Sequence, residues 1–197
     1  MRRYCDPGEA IYHQGDSGGS VYVVLSGAVL ITALSWAGRE VVLAILGPGQ
    51  AFGQSGLIGH GHRGTARAVR ATWILEVPAG AATGPPRTGG SDWLVLALAA
   101  RVDQLETWLG DIGLRDVPGR VARRLCELMD GHGVRDHRGV TIDLPITQGQ
   151  LAAAAGATRE SVNRCLRTLV AMGIVQHHGR RYVVTDEGAL RAAARDC

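Results

Sequence analysis

Ile146 to Val175, "ITQGQLAAAAGATRESVNRCLRTLVAMGIV", leaves this chain the least conformational freedom. Thr147 followed by Gln150 is a capping-box pattern, in which each side chain satisfies a backbone N–H at a helix start. Gly156 supplies the permissive backbone of a tight turn, and Thr158 is placed to cap a second helix. At about 100° per residue, Arg159, Glu160, Asn163, Arg164 and Arg167 share one arc of that helix. Val162, Cys165, Leu166, Leu169 and Val170 are expected on the opposite arc. The pattern predicts two short helices about a glycine, the second packed by one face and open on the other. An Arg on the open face can donate two hydrogen bonds to guanine O6 and N7, and a Glu can accept one from cytosine N4. The helix amino terminus favours phosphate. "GIVQHHGRRYVVT" then alternates about a glycine and predicts a β-hairpin wing, with Arg180 and Arg181 at its tip within reach of phosphate. A charged helix face is otherwise a solvated surface, but cap, turn, amphipathic helix and hairpin in this order favour DNA.

Charge points the same way. Residues 1–114 hold 8 Arg and 9 acids, net −1, whereas residues 115–197 hold 13 Arg and 9 acids, net +4. The basic second half suits a polyanion. There is no lysine, so every basic contact is a planar guanidinium fitted to phosphate or guanine. Cys5, Cys126, Cys165 and Cys197 are scattered without a CxxC, which argues against a zinc site or iron–sulfur cluster held by this chain. The start, "MRRYCDPGEAIYHQGD", lacks the apolar core of a secretory signal, and no apolar run approaches the ~20 residues of a membrane span. A cytoplasmic location away from membranes is expected.

Residues 7–78 read as short strands punctuated by glycine turns: "SVYVVLSGAVLIT", "REVVLAIL" and "ATWILEV" between "GDSGG", "WAGR" and "GPGQ". They predict a sandwich or barrel-like β-roll. Pro78 to Asp92 is Gly/Pro-rich and reads as a loop or linker. From Trp93 to Leu109 the period becomes helical, with Leu94, Leu98, Val102 (or Arg101), Leu105 and Leu109 forming a seam. Arg101, Asp103 and Glu106 are expected elsewhere. That seam either pairs with a second copy or packs on the roll; a dimer is expected. A further helix from about Pro118 to Met129 and a loop at "DGHGVRDHRG" complete the reading.

The carboxyl-terminal stretch resembles the winged helix–turn–helix of the Crp/Fnr family, the bacterial regulators related to the cyclic-AMP receptor protein. The family's "T/S-R-E-T/S-V-x-R" run is matched by Thr158, Arg159, Glu160, Ser161, Val162 and Arg164. By that resemblance Arg159, Glu160 and Arg164 carry base contacts, and Thr147, Thr158 and Ser161 lie near phosphates. "RDVPGRVARRLCEL" resembles the first helix after the family's hinge, placed here near Gly110 to Pro118. "PGEAIYHQGDSGGSVYVVLSGAVLI" and "LGPGQAFGQSGLI" resemble the cyclic-nucleotide-binding β-roll. The resemblance implies an α+β chain: a cyclic-nucleotide-binding-like β-roll (double-stranded β-helix) over 1–90, a long dimerisation helix and hinge over 91–113, and a winged helix–turn–helix over 114–197. It further implies a homodimeric, sequence-specific regulator of transcription without catalytic activity. The partners it implies are double-stranded DNA with a pseudo-palindromic operator, a second copy and, in the wider family, RNA polymerase. The roll either takes a small-molecule effector, of a kind that can differ from the family's, or takes none.

Effector residues follow by position: Gly53, Gln54, Ser55, Arg63, Thr65, Ala66, Leu105 and Glu106. Here the chain departs from the pattern. Gly53-Gln54 replaces the Gly-Glu whose carboxylate takes the ribose hydroxyl. Thr65-Ala66 stands where an Arg-Ser/Thr pair holds the cyclic phosphate, with Arg63 two residues earlier. Leu105 and Glu106 replace adenine-contacting hydroxyls. An anion buried without a guanidinium is costly, so tight cyclic-AMP binding is not expected. The helix that usually precedes the roll, and the short one before the long helix, are also not evident. Two alternatives remain: a cupin-like metal enzyme, on the H-x-H spacing of His60 and His62 but without its glutamate, and a haem or redox sensor using His13, His60 or His62.

Overall fold

The computed structural model describes residues 1–82 and 92–195. Most of the Gly/Pro-rich stretch, and Cys197, lie outside those residues. The chain forms two compact units, Met1–Thr107 and Trp108–Cys197. The division therefore falls inside the long helix rather than at either end of the segment 91–113.

Eight strands make the first unit: β1 Arg2–Cys5, β2 Ala10–Tyr12, β3 Ser20–Ser26, β4 Val29–Leu34, β5 Glu40–Leu46, β6 Ala51–Phe52, β7 Thr65–Ala68 and β8 Thr72–Pro78. They pair antiparallel in two four-stranded sheets, ordered β1-β8-β3-β6 and β2-β7-β4-β5. Because the chain passes repeatedly from one sheet to the other, it winds as a roll. Strand period dictates the interior: along β5, Val42, Ala44 and Leu46 are buried while the residues between them are not. The core draws on both sheets, with Cys5, Ile11, Val24, Val29, Leu46 and Ile74 packed around Tyr12, Tyr22 and Phe52. The three rings lie with centroids 5.2–6.0 Å apart.

Pro78 ends β8, and Ala79–Ala82 makes one turn of helix, α1, where only irregular chain is expected. The long helix, α2, runs from Asp92 to Leu114 over 23 residues, beyond both expected ends. Two corrections concern its faces. Leu94 is 7% exposed and packs with Val21 and Ala82 of its own roll, and Leu98 leans on the same cluster. Leu94 thus belongs to the roll and is removed from the seam. Arg101 is likewise turned inward: its Nη2 donates to the Leu43 carbonyl of β5 at 2.8 Å. Besides Leu96 and Leu114, which lie off the heptad positions, α2 leaves exposed Val95, Val102, Leu105, Leu109 and Ile112. With half-buried Leu98, these fall at alternating spacings of three and four, a heptad stripe with Val95, Val102 and Leu109 seven apart.

The second unit adds α3 Val117–His132, β9 Gly133–Asp136, β10 Gly139–Ile142, α4 Gln148–Ala154, α5 Arg159–Ala171, β11 Val175–His178, β12 Arg181–Val184 and α6 Glu187–Ala193. Asp116 caps α3 by accepting from Gly119 N at 2.8 Å, just ahead of Pro118. "DGHGVRDHRG", expected to be a loop, is instead the end of α3 and the β9–β10 hairpin. The reason is tertiary: β10 pairs with β12, Val140 opposite Val184, in a sheet ordered β11-β12-β10-β9. A local pattern cannot report a partner some forty residues away. Leu125 of α3, Leu151 of α4, Leu166 of α5, Ile142, Tyr182 and Leu190 are fully buried in its interior. No helix among the described residues is long and apolar enough to cross a membrane.

Phe52 is the only phenylalanine of the chain and is 1% exposed. Phe52→Ala removes the ring packed against both Tyr12 and Tyr22, and should cost about 3–5 kcal/mol, read as a lowered urea midpoint of the roll.

Candidate nucleic-acid interface and effector region

The capping box is present. Thr147 Oγ1 accepts from Gln150 N at 3.1 Å, and Gln150 Oε1 accepts from Thr147 N at 2.9 Å. Gly156 then turns the chain with φ of 58°, a left-handed conformation that a side chain would resist. Thr158 caps α5, accepting from Ser161 N at 3.2 Å, with its hydroxyl also 2.9 Å from Ser161 Oγ. A cap of this kind stabilises a helix by about 1 kcal/mol. Val162, Leu166 and Leu169 anchor α5 to its domain, each contributing roughly 1.5–3 kcal/mol on burial.

That anchoring leaves Arg159, Glu160, Arg164 and Arg167 exposed on the other face, with Ser161 and Asn163 half-buried at its margins. Val170 is exposed too, at 42%. Eleven residues at about 100° bring it round to within about 20° of Arg159, so it does not belong to the buried arc. Arg180 and Arg181 stand exposed at the two-residue turn between β11 and β12. Most arginines of this unit are engaged by their own domain. Arg115, Arg123, Arg124, Arg135, Arg138 and Arg191 pair with Asp111, Glu127, Glu187, Asp136 or Asp130, and Arg120 binds backbone carbonyls. Among the described residues, Arg159, Arg164, Arg167, Arg180 and Arg181 form no ion pair, nor does Arg195 beyond the end of α6. Guanidiniums left in water on one helix face and one hairpin tip are free to exchange that water for phosphate or base edges.

The effector positions do not converge in the same way. Gly53, with φ of 82°, opens a 3-10 helix, Gln54–Ile58, that holds Gln54 and Ser55. A Cβ at Gly53 would meet the Tyr22 ring at 2.7 Å, so the turn is moulded onto the aromatic core. Ser55 Oγ lies 3.1 Å from Nδ1 of His62, a residue the sequence offers only as a metal ligand. His62 is 4% exposed, and its ring stacks on Tyr12 with centroids 3.6 Å apart. Arg63 is exposed, beside an open surface cavity of about 540 Å³ that Gln14, Gly15, His60 and Gly61 also line. Thr65 Oγ1 accepts from Gln14 N at 3.1 Å. Ala66 is wholly buried in the roll core and is withdrawn from the effector set, since a methyl group packed among apolar side chains has nothing to offer an anion. Leu105 and Glu106 are exposed on α2.

Burial sets the electrostatics of this cluster. Desolvation pushes the Tyr12 phenol well above its ordinary range, with Tyr22 adding to the shift and Arg101 partly offsetting it. Desolvation also lowers the Arg101 guanidinium, the nearby Tyr12 opposing. His62 is lowered by burial, against the opposing field of Asp16. A buried imidazole stacked on a phenol is a packed core histidine, and no group of three His, Cys, Asp or Glu among the described residues is arranged to hold a metal. The cupin-like reading therefore has no ligand set among them.

Comparison with known proteins fits this geometry. The family described as the cyclic nucleotide-binding domain matches residues 2–83, and the Crp-like helix-turn-helix domain matches residues 119–193. The chain is 30% identical over 195 residues to the CRP-like cAMP-activated global transcriptional regulator of Mycobacterium tuberculosis, covering 95% of this chain and 85% of the relative. It is 32% identical over 190 residues to the cyclic AMP receptor protein of Thermus thermophilus, covering 89% and 80%. Its fold matches that of a CRP-family transcriptional regulator from Thermus thermophilus with a TM-score of 0.88 at 24% identity, over 99% of this chain and 97% of the other. The c-di-GMP responsive global regulator CLP of Xanthomonas campestris matches with a TM-score of 0.78 at 25% identity, over 93% of each.

A pH titration tests the histidine. With its folded pKa below the ordinary 6.5, His62 supports the fold fully above that pH, and the support is lost as pH falls toward the folded value. The urea midpoint of the roll should therefore fall more steeply below pH 6.5 in the native chain than in His62→Gln, which keeps a hydrogen-bonding group but no titration. Parallel profiles would contradict it.

Proposed function

The chain belongs to the Crp/Fnr family of transcriptional regulators, and from that premise we propose that it works as a cytoplasmic homodimer reading a pseudo-palindromic operator. Two copies of α5 enter successive major grooves, about 34 Å apart along the duplex. Arg159 and Arg164 donate to guanine, Glu160 accepts from cytosine, and Asn163 contributes at the margin of the face. Thr147, Thr158, Ser161, Arg180 and Arg181 hold phosphates and fix the register. The observation that carries this reading is the set of unpaired guanidiniums gathered on α5 and the wing, while Arg115, Arg120, Arg123, Arg124, Arg135, Arg138 and Arg191 are engaged within the unit. The heptad stripe on α2 supports the dimer: Val95, Val102 and then Leu109 at the first positions, with Leu98, Leu105 and Ile112 at the fourth, come close to the pattern of a two-stranded seam. No reaction is assigned to the chain.

We further propose that cyclic AMP is not its effector, although relatives are named for activation by it. Gln54 has no carboxylate for a ribose hydroxyl, Arg63 is solvated, and Tyr12 stacked on His62 closes the turn onto the aromatic core. The roll then serves to support α2 and thereby set the spacing of the two recognition helices.

Arg159→Ala should weaken the preferred operator by about 1–3 kcal/mol and relax the base preference at one position. Arg180→Ala should weaken all sequences alike and reduce the slope of log K against log salt by about one. Competition binding against a randomised duplex pool checks both, and an unchanged ranking of sequences for Arg159→Ala contradicts the base-reading role. For the effector, calorimetric titration with cyclic AMP should show no saturable binding with Kd below about 1 mM, and operator affinity should not respond to the nucleotide.

A further inference from the structure

The carbonyl groups at the exit of α4 are gripped by one donor from the end of α2 and two side chains of α3. Arg120 Nε donates to Ala155 O at 2.8 Å, and its Nη2 donates to Gly156 O at 3.3 Å. The remaining arm, Nη1, donates to Arg115 O at 2.6 Å. The indole N–H of Trp108 donates to Ala154 O at 3.2 Å, and Arg124 Nε reaches the same oxygen at 3.1 Å. Trp108 lies on α2, Arg115 is the residue that follows it, and Arg120 and Arg124 lie on α3. Ala155 and Gly156 immediately precede the Thr158 cap of α5. One planar guanidinium therefore joins the exit of α2 to the turn that aims the recognition helix.

Two features make this more than ordinary packing. The carbonyls belong to a helix carboxyl terminus, where the macrodipole favours cationic donors. The exit of α2 is also pinned on its other side, because Arg115 pairs with buried Asp111 at 2.8 Å and donates to Ala194 O at the end of α6. A rotation of the last turns of α2 has no slack through which to dissipate before it reaches Gly156.

We infer that Arg120 is a positioning residue for DNA reading, transmitting the direction of α2 to α5 and so fixing the separation between half-sites that the dimer prefers. The inference rests on the dimeric operator reading above. It touches no base, so it governs spacing and leaves base preference within a half-site alone. Lysine cannot replace it, since one ammonium lacks the fork that spans three carbonyls.

The test is operator affinity at three half-site separations, the preferred one and one base pair shorter or longer, for the native protein, Arg120→Lys and Trp108→Phe. Arg120→Lys should lose about tenfold at the preferred separation and less than about threefold at the other two, with half-site base ranking unchanged. Trp108→Phe, which keeps an aromatic ring but no donor, should flatten the profile in the same direction, and it supplies the reading should Arg120→Lys fail to fold. A profile of unchanged shape, whether affinity is kept or falls equally at all separations, overturns the inference. A native protein indifferent to separation would instead overturn the dimeric reading on which the inference stands.

Discussion

A recognition helix must be held firmly by one face while the other keeps its guanidiniums in water, and the rest of this chain depends on that division. Val162, Leu166 and Leu169 supply the hold, and the Thr158 cap and the Gly156 turn fix where it begins. Thirteen residues of α5 cannot stand as an isolated helix in water, so its stability is borrowed from the domain beneath. The exposed face is then free of any duty to the fold. That freedom is visible in the partners: among the described residues, acids of this unit pair with Arg115 and with arginines on α3, on the β9–β10 hairpin and on α6, and none pairs with Arg159, Arg164 or the wing tip.

The roll presents the contrasting case. Its interior is filled by its own rings, with Tyr12, Tyr22 and Phe52 in mutual contact, His62 stacked on Tyr12 and Arg101 reaching in from α2 to the β5 backbone. The link between α2 and the roll is correspondingly direct, since Leu94 shares a cluster with Val21 and Ala82.

Much of the second unit was legible because its signals are local. Caps at Thr147 and Thr158, the turn at Gly156 and the β11–β12 hairpin each depend on residues within a few positions. What escaped was set by distant partners: β9 and β10 exist because β12 is there to pair, and α6 is held by Asp130 and Arg135 through Arg191 and Glu187. On α2 the spacing of three and four admits neighbouring registers, and only the packing of Leu94 on the roll selects the stripe through Val95 and Ile112. Val170 was misassigned although helix geometry alone places it beside Arg159. Among the effector positions, sequence alignment located Gly53, Gln54 and Ser55 in one turn, but it gave no sign that His62 stacks on Tyr12 or that Ala66 is sealed in the core.

The central claim is that a guanidinium of α5 donates to a guanine edge, and atomic substitution in the DNA addresses it most directly. Once the preferred operator is known, its contacted guanine is replaced by 7-deazaguanine, which lacks the N7 acceptor but keeps Watson–Crick pairing. The native protein should lose about tenfold in affinity, and Arg159→Ala should show no further loss on the same substitution. Equal losses in the two proteins at every guanine of the half-site would contradict the claim.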